Sequence, residues 1–289
     1  MSKTTEKRAM YHRFPALAGI TLIILTSCVV GGKPREDMLQ NAGISEGIRA
    51  DGFRQYPLTA ESILYPEYDK KSPRIVYTFD LLEVTGSRTL AEGIYGTMYQ
   101  GQEPKDYARR KIDDFNRENS NPGDIEMYLR LPPSNLTWEY TESTQLQSMA
   151  PGILVTSREY WYYTGGAHGM GEKTYFVFDI ETSQRLSVGD VFTEQAMPEL
   201  AEYIQDALRV WSEIPPGAPL TEGGFFEDTV EVPEDFFLSP QGAGFQWDQY
   251  EIAPYAWGQI EVVLPEEKIS GLLTEKGAEL LRSLAATAQ

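Results

Sequence analysis

Two runs in the middle of the chain constrain its fold most. "NLTWEYTESTQLQ" (Asn135–Gln147) and "GILVTSREYWYYT" (Gly152–Thr164) each alternate in polarity, and "SMAPG" between them is a turn signal. Alternation at period two reads as a strand, and two strands joined by a tight turn pair antiparallel. In the second run Ile153, Val155, Trp161 and Tyr163 share one face. "EKTYFVFDI" (Glu172–Ile180) is a further strand, with Thr174, Phe176, Phe178 and Ile180 on one face. "TGGAHGMG" (Thr164–Gly171) is then the connector between the last two strands.

The remaining elements are mixed. "RIVYTFDLL" from Arg74 reads as a strand, and "SRTLAEGIYGTMYQ" (Ser87–Gln100) as a helix weakened by Gly93 and Gly96. "EPKDYARRKIDDFNREN" is a stronger helix: Pro104 suits its first position, and Ala108, Ile112 and Phe115 recur at helical spacing. A later helix near Pro198 carries the stripe Leu200, Ile204, Leu208, Trp211. "FFLSPQGAGFQW" reads as a hairpin, "GQIEVVLP" as a strand, and two helices close the chain. Strands and helices without regular βαβ alternation predict an α+β fold of mostly antiparallel sheets with packed helices, arranged as two α/β subdomains.

The first residues predict a destination rather than a fold. Lys3, Lys7, Arg8 and Arg13 precede the apolar run Phe14–Leu25, which suits a signal peptide and is short for a membrane span. "LTSC" (Leu25–Cys28) then resembles a bacterial lipobox, in which the thiol takes the lipid. Cys28 is the sole cysteine, so no disulfide is available and stability must come from an ordinary core. Residues 1–27 are expected to be a lipoprotein signal peptide. Residues 28–68 are expected to be the acylated Cys28 and a tether, making the protein an extracytoplasmic, membrane-anchored lipoprotein for which the outer membrane or cell surface is one location.

Charge excludes some partners. The chain has 25 Lys+Arg and 43 Asp+Glu; four bases and one acid (Glu6) precede Cys28, which leaves 21 and 42. Nucleic acid is a poor partner for such a chain, whereas a basic protein would be steered toward it. After residue 27 the one histidine is His168, with no cysteine but Cys28, so neither a metal site nor a cofactor is expected. No G-x-S-x-G elbow or phosphate-binding loop occurs. The stretch "YYTGGAHG" therefore leaves three roles open. Gly165, Gly166 and Gly169 permit positive φ, so that His168 braces the loop; or His168 contacts a partner or glycan; or it transfers a proton. Tyr162 and Tyr163 alternate faces, so one of them can join an exposed aromatic surface.

"YYTGGAHG", "YFVFDIETSQRLSVGDVF" and "DFFLSPQGAGFQWDQYEIAPYAWGQIEVVLP" occur in that order. Together they resemble the bacterial extracytoplasmic family DUF3298, which is often preceded by a DUF4163 domain. The resemblance implies a DUF4163-like domain over residues 69–150 and a DUF3298-like domain over 151–289, both within an α+β fold. It extends to the extracellular part of a lysozyme-sensing anti-sigma factor and to non-catalytic modules beside a peptidoglycan deacetylase. About a dozen residues precede the apolar run, so transmembrane signalling is not expected. What the resemblance implies is a non-enzymatic envelope lipoprotein that binds a lysozyme-like muramidase or peptidoglycan. The expected contact surface combines the Thr164–Gly171 loop with Tyr250, Glu251 and Tyr255. Two alternatives stay open: a cell-wall hydrolase using His168 with Asp248 or Glu251, and a structural envelope protein. If Cys28 carries the anchor, Cys28→Ser will move the protein from the membrane to the soluble fraction on cell fractionation; continued membrane association would refute the lipobox.

Overall fold

The structure, a computed structural model, describes residues 52–287. Cys28, the apolar run and the tether as far as residue 51 lie outside the described residues. Strands β1 (Phe53–Ile63), β2 (Arg74–Val84), β3 (Thr137–Ala150), β4 (Ile153–Tyr163), β5 (Met170–Asp179) and β6 (Gln184–Arg185) form one sheet in that order. All neighbours run antiparallel except β2 and β3, which pair parallel from Arg74↔Thr137 to Asp80↔Ser143. A parallel pair needs a long crossover. Helices α1 (Arg88–Met98), α2 (Pro104–Asn119) and α3 (Ile125–Tyr128) supply it. Ser87 caps α1 by accepting the Leu90 N–H, and Pro104 opens α2 as expected.

The C-terminal part holds α4 (Val188–Val191), α5 (Met197–Trp211), a second sheet β7 (Phe236–Ser239), β8 (Gly242–Trp247) and β9 (Ile260–Pro265), then α6 (Glu266–Ile269) and α7 (Glu275–Thr287). Ser187 and Asp190 form a reciprocal capping box at the start of α4. Leu200, Ile204 and Leu208 of α5 are buried, but Trp211, the fourth member of the expected stripe, is 40% exposed and leans on Trp257 at 5.3 Å. An α+β fold of largely antiparallel sheets is what these elements make.

Two expectations need correction. The stretch assigned to the tether contains β1, paired along its whole length with β2 from Phe53↔Val84 to Ile63↔Arg74. Pro57 obscures it in sequence, yet an edge strand tolerates a residue without an N–H. The expected boundary at 150/151 also fails as a division between subdomains. It falls in the turn of the β3–β4 hairpin, where Ala150 pairs with Ile153, so one sheet runs straight through it.

What divides the molecule is the sheet itself. One core packs Ile75, Tyr77, Phe79, Ile94, Tyr99 and Trp138 between the sheet and α1/α2, and it takes in Leu154, Phe176 and Phe178 from beyond the expected boundary. The opposite face of the same strands gives Ile153, Val155, Tyr175 and Val177 to a second core with α5, α7 and the small sheet. The consecutive apolar residues in "ILV" and "YFVF" are the mark of strands covered on both sides.

Inside the first core, Thr144 matches a backbone donor that the sheet leaves over. Beyond Asp80↔Ser143 the parallel ladder stops, and Leu82 donates its N–H to Thr144 Oγ1 instead (2.5 Å), with the Tyr99 hydroxyl on the same oxygen. Thr144 is fully buried. Thr144→Val would preserve shape but strand a buried backbone donor. We expect a loss of about 1–3 kcal/mol in urea unfolding with an unchanged m-value; a neutral result would mean the N–H finds another acceptor.

Candidate functional site

The β4–β5 connector is built by packing. Gly165 has φ +82°, and a Cβ there would lie 2.0 Å from the Asn135 carbonyl oxygen. Asn135 closes this contact by donating its side-chain amide to the Gly165 carbonyl (2.7 Å), while Trp138 Nε1 donates to the Asn135 carbonyl. At Gly169 a Cβ would meet the Trp161 indole at 2.2 Å, so the ring lies flat against backbone. Gly166 is exposed with open space around it. Its carbonyl accepts the Tyr163 hydroxyl at 2.9 Å.

The two tyrosines divide as their alternation predicts. Tyr162 meets Phe115 of α2 edge-on at 6.0 Å, on the face of the first core. Tyr163 stacks on Trp161 on the other face.

The loop and the "YEIAPYAWG" segment converge. The exposed His168 ring stacks on Tyr255 at 4.0 Å, and Tyr255 donates its hydroxyl to the Gly169 carbonyl (2.8 Å). Tyr250 stands 5.6 Å from Tyr255, half exposed, with φ +70°. A bulky residue at positive φ is uncommon and strained. Trp161, Tyr163, His168, Tyr255 and Tyr250 thus border one surface.

Acids flank that surface along the outer edge of β5. Only the last two residues of β5 pair with β6, so its earlier N–H groups need other acceptors. Asp248 Oδ1 accepts the Lys173 N–H (2.9 Å) and Asp235 Oδ1 accepts the Tyr175 N–H (2.8 Å). Both acids come from the ends of the small sheet's strands, so carboxylates stand where a neighbouring strand would. Gln246 and Gln259 also donate to Asp248, and Glu251 accepts the Asp248 N–H. Glu261 holds the Lys173 ammonium and the Tyr175 hydroxyl.

Burial raises the carboxyls of Asp235, Asp248 and Glu251 above their ordinary range. The Glu172 charge adds to this at Asp248, and the Asp248 and Glu172 charges add to it at Glu251. Asp235 reaches about 7 despite the Tyr175 N–H. Sequence reasoning missed Asp235 and Glu261: among 43 acids neither carries a signal of its own.

For acid–base chemistry His168 would need an acid partner. Its Nδ1 lies 3.1 Å from the Gly169 carbonyl, and neither Asp248 nor Glu251 bonds to it, both being committed to backbone donors. Among the described residues no three His, Cys, Asp or Glu side chains are placed to hold a metal ion. None of the described helices is long and apolar enough to cross a membrane.

An aromatic–acidic surface on a two-sheet α+β scaffold describes the molecule, and comparison with known proteins extends this. Residues 189–267 match the family described as "Protein of unknown function (DUF3298)". The crystal structure of a DUF3298 family member from Bacteroides fragilis is similar with TM-score 0.68 and 20% identity, covering 81% of this chain and 97% of that one. A DUF3298 family protein from Pseudomonas aeruginosa is similar with TM-score 0.55 and 16% identity, covering 78% and 96%. At these identities the likeness is one of fold. No curated protein matches the chain. The matched stretch contains Tyr250, Glu251 and Tyr255 but not the glycine–histidine loop that packs on them.

The Asp235 carboxyl gives the site a pH signature. Its folded value lies above the ordinary 3.8, so the folded state holds a proton that the unfolded state has released. The stabilisation is complete below pH 3.8 and is lost as pH rises through about 7. The melting temperature should therefore fall between about pH 5 and pH 8. Asp235→Asn, which still accepts the Tyr175 N–H, should flatten that fall; an equally steep profile in the variant would exclude Asp235 as its source.

Proposed function

We propose that the chain is a non-enzymatic binding module, held at the cell envelope by a lipid on Cys28. On this reading it captures a basic protein of the lysozyme-like muramidase class through the surface around His168. One observation carries the proposal: the exposed His168 stacks on the partly buried Tyr255, with the half-exposed Tyr250 tilted against it, in the segment that holds Asp248 and Glu251. Aromatic faces bordered by carboxylates suit Lys and Arg side chains, which gain from both ring faces and charge. The half-exposed Tyr250 at positive φ supports the same reading, because strained residues cluster at functional sites. The excess of acids adds long-range attraction for a cationic partner.

Binding of a basic lysozyme to the detergent-solubilised full chain tests this. The affinity should weaken as salt rises from about 50 to about 300 mM. Tyr250→Ala should weaken it about tenfold or more without lowering the melting temperature. Absence of binding at low salt, or a Tyr250→Ala affinity equal to wild type, refutes the proposal. Release of cell-wall fragments that depends on His168 would favour the hydrolase in its place.

A further inference from the structure

One stretch beside the second core has the pattern of a strand and no sheet to join. In residues 229–233, "TVEVP", Val230 and Val232 pack against that core while Thr229 and Glu231 are exposed. Branching at Cβ in Thr229, Val230 and Val232 favours an extended backbone, and Pro233 restricts Val232 to it. The stretch runs without turn or bend, yet it belongs to neither sheet. No residue from 227 to 234 makes a backbone–backbone hydrogen bond among the described residues. A row of free N–H and C=O groups of this kind is what an incoming strand pairs with.

A groove of about 440 Å³ lies along this stretch. Val232 and Pro233 line one side; Leu186 and Val188, just after β6, and Met197 of α5 line the other. The space between is bordered by apolar side chains, and the unbranched Met197 adapts to what it meets. The one cation in the lining, Arg185, is already engaged. Its guanidinium lies 4.9 Å from the centroid of Phe176, a first-core residue, and donates to the Tyr175 carbonyl at 3.4 Å. The acids are not engaged. Glu234 in the lining, and Glu227 and Glu231 along the stretch, are exposed and have no cation within salt-bridge distance among the described residues. Residues 211–267 contain no Lys, Arg or His, so no base within that stretch offsets them. Charge complementarity therefore selects a cationic occupant.

We propose that this groove binds an extended basic peptide in which apolar residues alternate with Lys or Arg. The peptide adds as a strand along residues 229–233. Its apolar side chains enter the groove against Val188 and Met197, and its cations meet Glu227, Glu231 and Glu234. One strand serves both because successive side chains point to opposite faces. The groove shares none of its lining with the surface around His168, so either can fail without the other.

Fluorescence anisotropy of the labelled peptide Lys-Val-Lys-Leu-Lys-Val-Lys with the detergent-solubilised full chain, and with detergent alone as the blank, tests the proposal. The peptide should bind saturably at about 50 mM salt. Serine in place of its Val and Leu keeps the charge and should weaken binding about tenfold or more. Of two N-methylated versions, one at the Lys amides and one at the Val and Leu amides, at least one should weaken it as much, since alternate amides face the added strand's neighbour. Gly189 is exposed and lines the groove, and a Cβ there meets nothing nearer than 3.8 Å. Gly189→Tyr should therefore narrow the groove and weaken the peptide about tenfold at an unchanged melting temperature. Should that variant not fold, the exposed Glu231→Lys carries the test with the same expected loss. No saturable binding, equal binding of the serine peptide, parent-like affinity of both N-methylated peptides, or an unchanged affinity in the folded variant would each overturn the assignment.

Discussion

Burial of β4 and β5 on both faces is the constraint on which the rest depends. Ile153 and Val155 point one way and Leu154 the other; Tyr175 and Val177 oppose Phe176 and Phe178. Each strand therefore needs cover on two sides. The α1–α3 crossover supplies one cover and the C-terminal sheet with α5 and α7 supplies the other. Because α1 and α2 lie over one face, β2 must return parallel to β3 rather than by a hairpin. Because the second cover reaches the edge of β5, the small sheet's strand ends arrive where they can hold the connector loop.

That arrangement explains what the surface around His168 is. The loop is not a flexible appendage. Asn135 and Trp138 tie Gly165 from one side, Trp161 presses on Gly169, and Tyr255 reaches across to the Gly169 carbonyl. The loop that borders the rings and acids is thus held at Gly165 and Gly169 from three sides. His168 braces this surface by stacking, and it is also the part that solvent can reach.

Much of the architecture was legible because periodicity survives in single elements. The alternation of β3 and β4, the Pro104 start of α2 and the Leu200–Leu208 stripe all read directly. Association between elements was less legible. β1 was hidden by Pro57, and nothing local distinguishes a parallel from an antiparallel neighbour for β2. The split at 150/151 followed the two family resemblances, whereas the physical division is between faces of one sheet. At the site, the meeting of the glycine–histidine loop with Tyr250 and Tyr255 could be anticipated from their composition. Asp235 and Asp248 could not, because what distinguishes them from other acids is which N–H they face, and that is set by tertiary packing.

The carboxylates along β5 carry a consequence for what counts as a unit. The stretch that matches the family, residues 189–267, includes Asp235 and Asp248 but neither the strand whose amides they receive nor the loop that Tyr255 fastens. Expressed alone, it would leave Asp235 without the Tyr175 N–H, Asp248 without the Lys173 N–H, and an apolar face uncovered in water. The matched stretch and the folded unit are therefore different lengths of chain, and the shorter one completes its interior with Ile153, Val155, Tyr175, Val177, Leu280, Leu281 and Leu284, which its own signature does not contain.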